Sequence, residues 1–336
     1  MHKLKLFNPE GNDSKEVREL VGGDTTNLFN LNNSKFTWAN EAYKVMMQNF
    51  WIPEVVSLTD DDLTKLTKDE RRAFEGIISF LTFLDSIQTN NIPHISDYIS
   101  APEVKLALAV QTYQEAVHSQ SYAYIIESLI PSGDRDRIYD IWREDKVLFE
   151  RNKYIASIYQ DFLDTSNEYN FEKVLVANYL LESIYFYNGF SLFYTLASRN
   201  KMVGTSNIIR YINRDELTHV DLFANILNEL EVSRDLIWGM MSQAVAQEIA
   251  WTNHIIGDNV LGINSKTTVE YTQYLANVAL GKLGMGPMFN KVKTNPYRHL
   301  EAIADTGGEG SVKANYFESK VTAYNKPSAI KGWDTF

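Results

Sequence analysis

Two pairs of residues have the spacing of metal ligands: Glu115/His118 in QTYQEAVHSQSY and Glu216/His219 in NRDELTHV. A separation of three puts both members of a pair on one helix face, where a carboxylate and an imidazole can reach a single ion. One such pair alone says little, because Glu and His are common on solvent faces, so the neighbours decide. Ile209, Ile212, Val220 and Phe223 stand at offsets −7, −4, +4 and +7 from Glu216, and Leu108 and Tyr122 flank Glu115, so both carboxylates lie on apolar stripes. Asp85 shares a face with Ile78, Leu81 and Ile92, and Glu182 with Leu175, Phe186 and Phe193. Burying an ionised carboxylate without compensation is prohibitively costly, and no Lys or Arg lies on these stripes. Four carboxylates and two imidazoles suit two iron or manganese ions that share bridging oxygens.

Long helices must carry these residues. Ser or Thr followed three residues later by Glu marks a capping box, and Thr67/Glu70 and Ser100/Glu103 have that form. The first predicts a helix ending shortly before Pro93. The second, with Pro102 in its first turn, predicts one ending near Pro131. A polar stretch over 161–170 precedes a third long helix over 171–198, and Gly204 separates that from a fourth over 206–230. Further helices are expected over 233–256 and 267–283. No alternating strand pattern competes, so the expected class is all-α. One carboxylate from each of two helices and an E-x-x-H from each of two others is the inventory of a ferritin-like di-metal bundle. His2, His94, His254 and His299 have no Glu three residues before them and are read as structural.

The chain has 336 residues, 44% hydrophobic and 22% charged, enough for one sizeable core. The expected division is an N-terminal extension over 1–35, a helical domain over 36–302 and a flexible tail over 303–336, where Gly307, Gly308 and Gly310 interrupt the pattern. A net charge of −11 argues against nucleic acid and anionic membranes as partners. The start, MHKLKLFNPEGN, lacks the apolar segment of a signal peptide, which points to the cytoplasm. The most membrane-like stretch, 180–197, carries Glu182, Asn188 and Gly189 and reads as a buried core helix. There is no cysteine, so any thiol chemistry belongs to a partner.

Ferritin-like sites serve several reactions, and the discriminating residue here is Tyr122. It follows His118 by four residues and so projects from the ligand face, and Phe186, Phe190 and Ile212 could enclose it in a dry pocket that protects a phenoxyl radical. From about residue 50 to the C-terminus the chain resembles the small, beta subunit of class I ribonucleotide reductase. The resemblance rests on FWIPE with Trp51, LTFLDSIQ with Asp85, EAVHSQSY, LLESIYFYNGF with Glu182, and NRDELTHV with Asp215. It implies that a metal pair reacts with oxygen or a reduced oxygen species and oxidises Tyr122, or itself keeps the oxidant when it is a mixed-valent manganese pair. The oxidant then passes to a cysteine of the catalytic large subunit, which reduces ribonucleotides. It further implies a relay through Trp51, Asp215 and His118, a Tyr324 that carries the oxidant across the subunit interface, a docking tail ending in GWDTF, a homodimer and, for some members, a flavoprotein activator. Another di-metal carboxylate oxidase and a ferritin-like metal store are the alternatives. Tyr122, Trp51, Asp215 and a Tyr-bearing tail favour the reductase subunit over both.

Overall fold

Thr67 opens the first long core helix as its sequence predicts: its side chain accepts from the backbone N–H of Glu70, whose carboxylate accepts from the N–H of Thr67. In the computed structural model, which describes residues 1–300, ten α-helices follow one another. They are α1 (Thr37–Gln48), α2 (Lys68–Ser96), α3 (Pro102–Leu129), α4 (Arg135–Glu144), α5 (Lys146–Asp164), α6 (Glu168–Leu180), α7 (Tyr187–Ala197), α8 (Val203–Glu229), α9 (Arg234–Ile255) and α10 (Ser265–Lys282). The all-α expectation holds, since among the described residues there is no strand, only an isolated bridge between Val21 and Ile99. Also among them, no helix is long and apolar enough to cross a membrane. Tyr324, the GWDTF terminus and the whole of the expected tail lie outside the described residues.

The bundle is built by α2 lying along α3, α8 against α1, α3, α6 and α7, and α9 against α5 and α10. The start of α8 is fixed from a distance. Asp61 accepts from the backbone N–H groups of Gly204 (2.9 Å) and Thr205 (2.7 Å), covering donors that a helix N-terminus leaves unpaired.

Three expectations are corrected. First, α2 does not stop before Pro93 but continues to Ser96. Pro93 removes one N–H near the helix end, and the burial of Ile92 and Ile95 keeps the last turn wound. Second, Ser100 and Glu103 form no capping box; Ala101 is the N-cap of α3. Glu103 is buried and instead pairs with Arg18 (2.9 Å) and accepts from the N–H groups of Lys35 and Phe36, while Ser100 bonds Glu19 and Gly23. Both residues therefore fasten the first 35 residues onto the bundle.

Third, the segment expected as one helix over 171–198 is interrupted. Residues Leu181–Tyr185 form a wide π turn between α6 and α7. Where five-residue hydrogen bonding returns to the ordinary four, a carbonyl is left short of a donor. Arg151 of α5 supplies one, its Nη2 donating to the carbonyl of Tyr185. The guanidinium is buried over the rings of Phe80 and Tyr185, at 4.3 and 4.7 Å from their centres, and its Nε donates to Glu248 of α9 at 2.6 Å. Breaking a buried pair strands the other charge, at a cost of about 3–5 kcal/mol, whereas replacing both partners by apolar groups costs far less. Arg151→Met should therefore lower the thermal midpoint more than the Arg151→Met/Glu248→Leu double variant does. A double variant that melts as low as the single one would show that the pairing is not what matters.

Candidate metal centre

All six residues singled out as ligands converge in the middle of the bundle, each with no solvent exposure. Asp85 comes from α2, Glu115 and His118 from α3, Glu182 from the wide turn, and Glu216 and His219 from α8. They form two groups whose donor atoms lie within 4.8 Å of one another: Asp85, Glu115, His118 and Glu216, and Glu115, Glu182, Glu216 and His219. Glu115 and Glu216 belong to both.

The imidazoles are oriented alike. Nδ1 of His118 faces inward, 3.1 Å from Glu216 and 3.4 Å from Glu115, and Nδ1 of His219 lies 3.0 Å from Glu216 and 3.1 Å from Glu115. Their Nε2 atoms face outward, to Asp215 at 3.4 Å for His118 and to the Gln114 carbonyl at 2.9 Å for His219. Asp215 also accepts from the indole N–H of Trp51 (2.7 Å) and from Arg214 (3.1 Å). The expected trio of Trp51, Asp215 and His118 is thus contiguous, and Trp51 stacks on Tyr211 with ring centres 5.0 Å apart.

The donor set fits a pair of divalent ions. Both oxygens of Asp85, one each of Glu115, Glu182 and Glu216, and Nδ1 of His118 are buried without a hydrogen bond. Such groups are rarely left unpartnered in a core. The electrostatics agree. Burial, reinforced by Glu115 and Glu216, pushes the carboxyls of Asp85 and Glu182 well above the usual range. Burial works to lower the two histidines, but Glu216 beside His118 and Glu115 beside His219 outweigh it and hold both well above an ordinary imidazole. Burial would also raise Glu216, yet the adjoining Glu182 and the charge of His118 bring it low. Without metal, then, the site keeps protons where a cation would otherwise sit.

Tyr122 is fully buried on α3, one turn beyond His118. Burial first, then the charges of Asp85 and Glu216, raise its phenol well above the usual value, so it stays protonated. Phe186, Phe190 and Ile212 are buried too, with the two phenylalanine rings stacked 6.0 Å apart. Because the wide turn adds a residue, Phe186 and Phe193 are rotated by about 100° from the face on which Leu175 lies, and they do not continue the stripe expected for Glu182.

Amide side chains around the ligands were not among the expected site residues. Gln111 stands one turn before Glu115 and Gln88 one turn after Asp85, and both donate to Glu182. Their helical spacing from two ligands was the available signal.

The family described as "Ribonucleotide reductase, small chain" matches residues 28–296, a span that begins ahead of the segment whose motifs carry the resemblance. The chain is 40% identical to the ribonucleoside-diphosphate reductase subunit beta of Treponema pallidum, over 98% of this chain and 97% of that one. It is 35% identical to the subunit of the same name from Halalkalibacterium halodurans, over 99% of each. Among solved structures it is similar to the ribonucleotide reductase R2 subunit from Clostridium botulinum, with a TM-score of 0.87 and 43% identity over 90% of this chain and 98% of that one.

Proposed function

Because this chain belongs to the family of ribonucleotide reductase small chains, we propose that Asp85, Glu115, His118, Glu182, Glu216 and His219 ligate its dinuclear centre, that Tyr122 is the residue the centre oxidises, and that Trp51 and Asp215 lead the oxidant away. The small subunit generates and stores an oxidant with which the large subunit reduces ribonucleotides to deoxyribonucleotides, and the family works as a homodimer with that subunit. The observation that supports the ligand assignment best is the sharing of Glu115 and Glu216 by two overlapping groups, as bridging carboxylates require. Metal analysis with electron paramagnetic resonance after aerobic activation tests it. About two iron or manganese ions per chain are expected, and a protein that binds none after metal supplementation contradicts the assignment.

When bound, the iron or manganese pair supplies the oxidising power that the side chains lack. The chain's own residues do the rest. With its proton on Nε2, His118 donates to Asp215 and turns the Nδ1 lone pair inward, and Gln114 fixes the same tautomer in His219. Asp215 in turn accepts from Trp51, so one carboxylate joins the indole to the ligand imidazole. Phe186, Phe190 and Ile212 are proposed to keep water and reductants from Tyr122, in keeping with their burial.

Ligation must displace the protons that Asp85, Glu182, His118 and His219 hold in metal-free protein, so metal binding should release protons and weaken as pH falls. Each proton released steepens the apparent affinity by about tenfold per pH unit. Manganese(II) titrations at several pH values measure the slope, and a flat profile would contradict the protonation described.

Tyr324 and the tail over 303–336 are proposed to serve the large subunit. Removing residues 326–336 should leave metal loading unchanged while weakening large-subunit binding, and Tyr324→Phe should bind but not turn over. Full turnover by Tyr324→Phe with saturating large subunit would take this residue off the path. A flavoprotein activator is proposed as the source of a reduced oxygen species if dioxygen alone leaves the loaded protein without signal.

A further inference from the structure

Glu182 is the carboxylate of the centre on which the amides of two glutamines converge; Glu115 Oε1 shares only the Gln111 amide, at 3.4 Å. Its Oε1 accepts from Nε2 of Gln111 at 2.9 Å and from Nε2 of Gln88, with the Asn178 amide 3.5 Å away. Its Oε2 makes no hydrogen bond and lies 3.6 Å from Nδ1 of His219. One oxygen is therefore tied by amide donors and the other faces the metal cluster. Asp85, by contrast, has both oxygens without a hydrogen bond.

The orientation of the Gln88 amide is itself fixed. Tyr159 of α5 donates its hydroxyl hydrogen to Gln88 Oε1 at 2.8 Å, so the opposite end of the amide, the NH2 group, must point at Asn178 Oδ1 (2.6 Å) and Glu182. If the amide turned over, its oxygen would meet the oxygens of Asn178 and Glu182. Tyr159 is a residue of another helix, far from the ligands in sequence, and its hydrogen bond reaches Glu182 by way of Gln88. The wide turn beneath Glu182 makes this tether matter more, since the carboxylate sits on the segment of this helix that departs from α geometry.

We propose that Gln88 and Gln111, with Tyr159 behind Gln88, are positioning residues that tie one oxygen of Glu182 and so present it to the metal position beside His219 as a one-oxygen ligand. The inference rests on the ligand assignment above. Partners that orient a metal ligand are worth about 10–100-fold in affinity. Losing the Gln88 arm of this tether should weaken the His219-side ion by that factor and leave the Asp85-side ion, whose His118 is held by Asp215, unchanged.

The test is a manganese(II) titration of the full-length metal-free protein, with the bound fraction and the separation of coupled from isolated ions read by electron paramagnetic resonance. Wild-type protein should bind two ions per chain and show a coupled pair. Gln88→Met, close in shape but without donors, should bind the first ion as before and the second about 10–100-fold more weakly, with an isolated-ion spectrum at intermediate metal. Tyr159→Phe should shift the second ion the same way by a smaller factor. Because Tyr159 acts through Gln88, the double variant should be no weaker than Gln88→Met alone. A loosened core would instead weaken both ions, and the two substitutions would add. Additive losses, equal weakening of both ions, or wild-type affinity in Gln88→Met would each overturn the proposal. If Gln88→Met fails to fold, Tyr159→Phe decides by the same readout, since Gln111 also donates to Glu115, which belongs to both groups. A wild-type protein that binds fewer than two ions would instead refute the ligand assignment itself.

Discussion

Glu115→Ala should empty both metal positions, whereas Glu182→Ala should empty one. Glu115 lies in both groups of potential ligands, within reach of both histidines, so its loss removes a donor from each ion and the bridge between them. Glu182 belongs only to the group that contains His219. Metal content should therefore fall from about two ions per chain to well under one in the first variant and to about one in the second. Neither variant should support nucleotide reduction with the large subunit. Elemental analysis of protein loaded under identical conditions gives the counts, and equal occupancy in the two variants would undo the idea that Glu115 bridges.

The second large effect concerns Tyr122→Phe. The substitution removes only a hydroxyl from a fully buried ring and leaves every proposed ligand in place, so metal loading and thermal stability should change little. What should disappear is the organic radical signal after activation, because phenylalanine has no readily oxidised hydroxyl and the phenol of Tyr122 is the one held beside Asp85. Turnover separates two modes of storage. Its loss along with the signal means that Tyr122 holds the oxidant, and its survival without any organic signal means that the metal pair holds it. An organic radical of unchanged line shape in Tyr122→Phe would locate the radical elsewhere.

The candidate ligands were legible in the sequence because a charge on an apolar stripe is a local contradiction; Asp85, Glu115 and Glu216 each present one within a single helix's own periodicity, while Glu182 sits in the wide turn, where its expected stripe is not continued. The same logic could not reach Gln88, Gln111 and Gln114. A glutamine on a helix contradicts nothing, and its role is set by what stands opposite on another helix. Glu103 failed for a related reason. Its spacing from Ser100 satisfies a local capping rule, but a buried carboxylate within reach of Arg18 gains more from that ion pair than from one backbone N–H. Helices α1, α4 and α5 were not foreseen, and of the three only α5 opens on a side chain that caps its backbone. The wide turn was invisible because it follows from tertiary demand: Arg151, whose partners lie on α9 and in the turn itself, stabilises a geometry that residues 181–185 do not announce.

That turn also bears on how this chain corresponds to others of different helix length. It acts as a single-residue insertion absorbed inside a core helix, where an unabsorbed extra residue would swing half the helix out of phase with its neighbours. A homologue whose equivalent helix is unbroken would be one residue shorter between Leu180 and Tyr187, with no loop to mark the difference. The gap that reconciles two such chains belongs within 181–185, next to Glu182, and shifting it by even a few positions would pair Phe186 and Phe190 with residues that face a different helix. In this chain the carbonyl of Tyr185, at the end of that turn, accepts from Arg151.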